Sequence, residues 1–300
     1  MCVSVLDKLT VDIIYSGIDQ LPKKGEEVHS RDFNIQLGGG PVALPIVLKR
    51  LNINTKLGTY VGNDFISLLA CDLLNELGFN DYYKFQSNLK KPIIVTSVIS
   101  LNDDRSFITF EDKKDEISYT EQEVYDFLTG SKVCFAIRDY PEVMAELKKE
   151  GTTLIFDINW DLIKPISKYR DILDCVEVFT PSDKEAMAIT DTFSPIEAVK
   201  ILAEYVKYPV VTIGKEGCLT YINGKVVLVG PPSYAVETID TTGAGDNFLA
   251  GLTYGIYKDW CIEDCMKMGN IIGANSTTEL GCYKAYMSEE EALSHFYNYI

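Results

Sequence analysis

An α/β fold with a central, mostly parallel sheet is what this sequence predicts, and three observations carry it. From about residue 130, short apolar runs at 132–137, 153–157, 176–179 and 210–213 alternate with helical segments near 141–150, 183–190 and 195–206. Unbroken apolar strands separated by helices argue for a parallel sheet covered on both faces. Earlier, segments 14–37 and 93–110 alternate polar and apolar residues, the pattern of half-exposed strands in a small sheet standing off the main body. Finally, 300 residues with 46% hydrophobic content and no internal repeat suffice for a substantial core, read here as one domain over 1–300.

Taken in order, Cys2 to Leu6 reads as a first strand and Leu9 to Ile14 continues extended. Asp12 lies there among apolar neighbours, either an outward-facing strand residue or a site carboxylate. The segment after Val28 ends in Gly38-Gly39-Gly40-Pro41-Val42-Ala43, which satisfies the G-x-G-x-x-[GA] pattern of dinucleotide-binding folds. Pro41 inside the pattern and a half-polar preceding strand weigh against that reading. Leu44–Leu51 is expected as a helix with Pro45 in its first turn, followed by a strand from Lys56 and a helix Phe65–Leu77 closed by Gly78. Pro92–Ser100 and Arg105–Phe110 read as strands around a turn at 101–104. In the parallel half, ligands are expected at the carboxyl ends of strands, where Arg138, Asp157-Ile158-Asn159, Ser182 to Glu185 and Gly214 fall. Met266–Thr278 reads as a helix rich in small residues, and a last helix follows from Ser288.

Composition excludes several function classes. With 44 acidic against 28 basic side chains, the formal charge is −16, which repels nucleic acid and anionic membranes. The eight cysteines are scattered without a C-x-x-C, and there are two histidines, so a zinc site is not expected and reduced thiols are. No transmembrane span or secretory signal is read, and a cytoplasmic protein is expected. With histidine so scarce, a general base is expected to be a carboxylate.

The chemistry concentrates in Thr238–Phe248, a turn-rich stretch that opens a helix whose apolar residues Phe248, Leu249, Leu252 and Ile256 form a stripe. First-turn amides lack intrahelical partners and lie at the positive end of the helix dipole, an anion site that Gly243 and Gly245 leave room to approach. Asp246 beside that hole suits phosphoryl transfer to an alcohol, accepting the hydroxyl proton while the Ala244 and Gly245 amides hold charge. The plainer alternative is a dipole-stabilised helix acid next to a tight turn.

The whole stretch resembles the D-T-x-G-A-G-D signature of the ribokinase-like (phosphofructokinase-B) sugar kinases, matched at Asp240, Thr242, Gly243, Ala244, Gly245 and Asp246. Further matches run along the chain: Leu21-Pro22-x-x-Gly25-Glu26, Gly38-Gly39 of a G-G-x-x-x-N signature with Ala43 in place of asparagine, and an S-x-x-E, Ser182 to Glu185, where N-x-x-E is usual. Thr212-Ile213-Gly214 is similar to a T-x-G that meets nucleotide phosphates.

The resemblance implies a three-layer α/β/α ribokinase-like fold with a β-sheet lid, and transfer of the γ-phosphate of ATP to a hydroxymethyl group of a small sugar such as ribose or fructose. Asp246 would be the base, with Gly243, Ala244 and Gly245 as the anion hole. The sugar would meet Asp12, Gly38, Gly39, Ala43, Arg105 and Arg138; the nucleotide, Ser182, Glu185, Thr212, Gly214, Gly217 and Asn270. Glu185 would organise Mg2+ through water, and Asp240, with the loop from Gly281 to Tyr283, would hold a monovalent cation such as K+. A homodimer through the lid stays open. So do two alternatives: a nucleoside kinase of the same fold, with Tyr15 or Phe107 packing on a base, and a non-catalytic sugar or nucleotide binder.

Overall fold

In a computed structural model, the protein is described at residues 1–79, 82–86, 91–101, 105–112, 119–158, 163–234 and 236–299, with the side chains of Pro41, Gln86 and Arg105 outside that description. The chain begins with β1 (Val3–Leu6), β2 (Thr10–Ser16), β3 (Asp32–Gly38), α1 (Gly40–Arg50), β4 (Thr55–Val61) and α2 (Phe65–Glu76). It continues through β5 (Tyr83–Gln86), β6 (Ile94–Ser100), β7 (Arg105–Phe110), α3 (Glu121–Leu128), β8 (Val133–Phe135), α4 (Pro141–Lys149) and β9 (Thr153–Phe156). Then come α5 (Arg170–Leu173), β10 (Val178–Phe179), α6 (Asp183–Thr190), α7 (Pro195–Leu202), β11 (Tyr208–Thr212), β12 (Cys218–Ile222) and β13 (Lys225–Val229). Three helices close the chain: α8 (Ala244–Tyr257), α9 (Ile262–Ser276) and α10 (Glu289–Tyr297).

The residues group into two units, one of 1–6, 43–56 and 119–300, the other of 7–42 and 57–118. In the first, strands lie in the order β13-β12-β11-β10-β9-β8-β1. Pairing is parallel from β1 to β11, with Val3 opposite Val133, Val133 opposite Thr153, Ile155 opposite Val178 and Val178 opposite Tyr208. Val133, Leu154, Ile155, Phe179, Val210 and Val211 are fully buried, which is why these strands read as continuous apolar runs rather than alternating ones. An antiparallel hairpin, β12–β13, finishes that edge. Its turn is Asn223-Gly224, both in left-handed conformation (φ 51° and 78°), the two-residue turn whose twist matches that of the strands.

The second unit holds a four-stranded sheet ordered β3-β2-β6-β7, with β2 and β6 parallel and the outer pairs antiparallel. Beside it in sequence, β4 and β5 pair in parallel, Gly58 opposite Tyr83. Helix α2 starts on Asp64, whose carboxylate accepts from the Ile66 and Ser67 amides.

Three expectations need correction. Helix α1 starts at Gly40, directly after left-handed Gly39 (φ 81°), so Pro41 sits in the first turn and Pro45 in the interior. The segment read as alternating from 14 to 37 is two strands, β2 and β3, separated by turns and mostly exposed loop at 17–31. Helix α8 carries no single apolar stripe: Asn247 through Gly255 are all buried, so the helix is enclosed on every side. The turn expected at 101–104 and Asn159 fall, from 102 and at 159, outside the described residues.

Candidate active site

The chemistry begins where the chain turns into α8. Gly243 is the N-cap in left-handed conformation (φ 72°, ψ 9°), and a Cβ there would overlap Cys282. Only glycine meets both demands. Asp240 holds the turn in place: one oxygen accepts from the Thr242 amide (2.8 Å) and hydroxyl (2.6 Å), the other from the Gly281 amide (2.9 Å). Asn247 fastens the same two loops from within the helix, donating to the carbonyls of Gly243 (2.8 Å) and Cys282 (2.6 Å). The Ala244 amide closes the turn on the Thr241 carbonyl at 3.2 Å, while the Gly243 and Gly245 amides have no partner among the described residues. A left-handed residue followed by helical ones turns such amides into a concave nest for an anion. The amides left open at this turn are thus those of Gly243 and Gly245, while that of Ala244 closes it.

Three carboxylates share this end of the sheet. Asp246 is in the first turn of α8. Glu185 is buried at the start of α6, where its Oε2 accepts from the Ser182 amide (2.8 Å) and hydroxyl (2.7 Å) in a capping box. Asp157 follows β9 and accepts from the Thr180 hydroxyl at 3.3 Å. The surrounding protein, then the negative charges of Asp246 and Glu185, push the Asp157 carboxyl up to about 8. Its side chain is also exposed to solvent, which screens those charges.

A cleft of about 510 Å³ opens beside the nest. It is lined by Thr212, Gly214 and Lys215, by Ala244 and Gly245, and by the apolar side chains of Pro231, Pro232, Tyr234 and Phe248. That is a size and lining suited to a small molecule with an apolar body and a charged tail. Thr212 and Ser182 adjoin across a parallel bridge, so the two predicted phosphate-side segments are neighbours. Asn270 lines the cleft too, but its amide already donates to Val229 O (3.1 Å), Gly230 O (2.7 Å) and the Tyr299 hydroxyl (3.0 Å).

In the second unit, Asp12 on β2 lies over Gly38 at the end of β3: a Cβ on Gly38 would fall inside the Asp12 carboxylate. Burial raises the Asp12 carboxyl to about 6, and among the described residues no donor hydrogen-bonds to it.

Comparison with known proteins agrees with this geometry. A family profile, "pfkB family carbohydrate kinase", matches residues 3–289. The chain belongs to the pfkB family of carbohydrate kinases. This pfkB kinase is thus a phosphotransferase with an alcohol group as acceptor. It is 24% identical to the deoxyribokinase of Salmonella typhi over 310 aligned residues, covering 97% of each chain. Its fold is shared with an Arabidopsis thaliana ribokinase complexed with ribose and ATP (TM-score 0.82, 22% identity, 98% of each chain). The same holds for a Methanocaldococcus jannaschii nucleoside kinase (TM-score 0.78, 17% identity, 99% of this chain and 98% of that one).

The structure of this pfkB kinase brings most of the predicted residues together within each unit and sets some aside. Ala43 is fully buried in α1. Arg138 pairs with the adjacent Asp139 at 3.3 Å and does not line the cleft. Gly217 does line it, whereas the Arg105 side chain lies outside the described residues. Tyr15 is three positions from Asp12 on β2, hence on the opposite sheet face, whereas Phe107 shares the Asp12 face through the register Phe107–Val98–Ile14. Residues not foreseen are Lys215, the apolar wall at 231–234 and the clamp through Asn247 and Cys282. Nothing in an irregular loop such as 231–234 signals a ligand contact, but Lys215 beside Gly214 was within reach of the T-x-G reading.

The raised Asp157 carboxyl has a consequence for stability. Its folded value, about 8, exceeds the ordinary carboxylate value, so folding favours the protonated form and a penalty grows as pH rises from about 4 to about 8. In magnesium-free buffer, Asp157→Asn is expected to raise Tm at pH 8.5 and to raise it less at pH 5.5, both shifts kept small because the side chain is exposed and its charge screened. Thermal melts of both proteins at the two pH values decide it. An equal shift at both would mean that ionisation of Asp157 is not the cause.

Proposed function

We propose that this pfkB kinase transfers the γ-phosphoryl group of ATP to a hydroxymethyl group of a small sugar. The carrying observation is Asp246 in the first turn of α8 beside the unpaired Gly243 and Gly245 amides. In this reading the apolar wall of the cleft takes the adenine, and Thr212, Gly214 and Lys215 meet the phosphates; among the described residues Lys215 is the one basic residue lining it. Asp12, over Gly38, accepts from a sugar hydroxyl. Asp246 takes the proton of the attacking hydroxyl as its oxygen bonds to the γ-phosphorus. The bond from that phosphorus to the bridging oxygen breaks, ADP leaves, and the nest amides hold the charge on the transferring group.

The donor set fits a magnesium ion: burial and then the carboxylates of Asp246 and Glu185 raise the Asp157 carboxyl, and a cation among these oxygens would relieve that repulsion. Among the described residues no three carboxylate, cysteine or histidine side chains converge as direct ligands, so Glu185 would hold the ion through water. Magnesium, when bound, neutralises charge on the phosphate oxygens. A potassium ion belongs to the proposal through Asp240, whose two oxygens already tie the nest to the Gly281 loop.

A second reading, a nucleoside as acceptor, has one observation in its favour: Phe107 shares the Asp12 face and is 58% exposed, a surface on which a base can stack. Offering D-ribose, 2-deoxy-D-ribose, D-fructose and inosine separately with ATP and magnesium, and following ADP formation, separates the readings.

A further inference from the structure

The four-stranded sheet carries a row of polar side chains that the phosphate-transfer reading does not use. Its register sets Gln36 on β3 opposite Asp12 on β2, Asp12 beside Thr96 on β6, and Thr96 opposite Thr109 on β7. Directly paired residues stand about 5 Å apart and point to one face, so all four share the face of Asp12. Thr96 and Thr109 satisfy each other at 3.1 Å. Gln36 does not follow them: it is 5% exposed, and its side-chain oxygen is buried with no hydrogen-bond partner.

An orphaned buried amide oxygen is costly, and its neighbour makes the cost larger. Asp12 is a second acceptor without a donor, and among the described residues no hydrogen bond joins the two. The Gln36 amide nitrogen also carries donors, but among the described residues it makes no hydrogen bond to Asp12, so each acceptor is left to a donor from outside the protein. A polyol supplies such donors, one hydroxyl to each acceptor.

We propose that Gln36 is a specificity-determining residue whose side-chain amide pairs with the acceptor hydroxyl adjacent to the one that Asp12 holds, so that the acceptor is a vicinal diol. The proposal rests on the kinase reading and deepens it. The diol has two sources, a free sugar or the ribose of a nucleoside, and both present the same pair of hydroxyls to Gln36 and Asp12.

The test is calorimetric titration of the full chain, wild type and Gln36→Met, with D-ribose, D-fructose and inosine, and with the 2- and 3-deoxy analogues of ribose and inosine. Methionine keeps the unbranched shape and removes the polar group. Wild type is expected to bind either a free sugar or inosine, which identifies the source. Gln36→Met is expected to weaken the parent ligand about 10-fold, the size of one well-made hydrogen bond to a ligand. One deoxy analogue, the one lacking the hydroxyl that Gln36 serves, is expected to bind both proteins alike. Without ligand, the Tm of Gln36→Met should equal or exceed that of wild type, since an unsatisfied buried oxygen is removed. If Gln36→Met does not fold, Gln36→Asn retracts the amide by one methylene and carries the same comparison. Equal parent affinity in both proteins, or a ligand-free Tm lower by several degrees, overturns the Gln36 assignment and leaves the kinase reading standing. Wild type that binds none of the probes overturns both.

Discussion

Asp246→Asn is expected to cut turnover by roughly 10²–10⁴-fold while leaving nucleotide affinity almost unchanged. Asparagine keeps the size of the side chain and removes its ability to take a proton. The rest of the site is untouched, because the nest is backbone, shaped by left-handed Gly243 and stitched by Asp240 and Asn247. Stability should change little. The first-turn carboxylate gains about 0.3–1 kcal/mol from the helix dipole, and its loss is offset by relief of the repulsion that Asp246 exerts on Asp157. Steady-state rates with the best acceptor and a separate nucleotide titration measure the two halves. Near-normal turnover in Asp246→Asn would remove the base from the mechanism.

Gly38→Ala is expected to lower kcat/KM for the acceptor by about 10²-fold, mostly through KM, with nucleotide binding intact. The added methyl would occupy the space of the Asp12 carboxylate, which must then swing away. Gly38 is not among the glycines with positive φ, so alanine is compatible with its backbone and the strand should persist. What fails is the aim of Asp12, and a displacement of about 1 Å is enough for a loss of that size. Kinetics at saturating ATP, paired with a thermal melt, separate misplacement from unfolding. An unchanged acceptor KM would mean that Asp12 does not hold the acceptor.

Much of this was legible in the sequence, and the reasons differ by element. The buried parallel strands announce themselves because both faces are covered, leaving uninterrupted apolar runs at Leu154–Phe156 and Val210–Val211. Helix α6 spans the expected 183–190, and the capping box of Ser182 and Glu185 that starts it is a local mark in the sequence. Ser182 caps the helix, and its hydroxyl fixes the Glu185 carboxylate. The β12–β13 hairpin is not among the expected strands, although Asn223-Gly224 between apolar runs is its local mark.

Other features are tertiary and leave no local trace. The burial of Ala43 depends on what packs over α1. The commitment of Asn270 to Gly230 and Tyr299 joins residues 40 and 29 positions apart. The engagement of the Ala244 amide is a matter of turn geometry that the G-A-G-D letters do not distinguish from a free one.

The most direct measurement of the central claim is phosphorus NMR of a reaction containing the protein, ATP, magnesium and each of D-ribose, 2-deoxy-D-ribose, D-fructose and inosine. With the competent acceptor, one phosphomonoester is expected to form for each ADP, and neither should accumulate with Asp246→Asn. ADP matched by inorganic phosphate in every mixture, or ATP left intact with all four, would contradict transfer to an alcohol at Asp246.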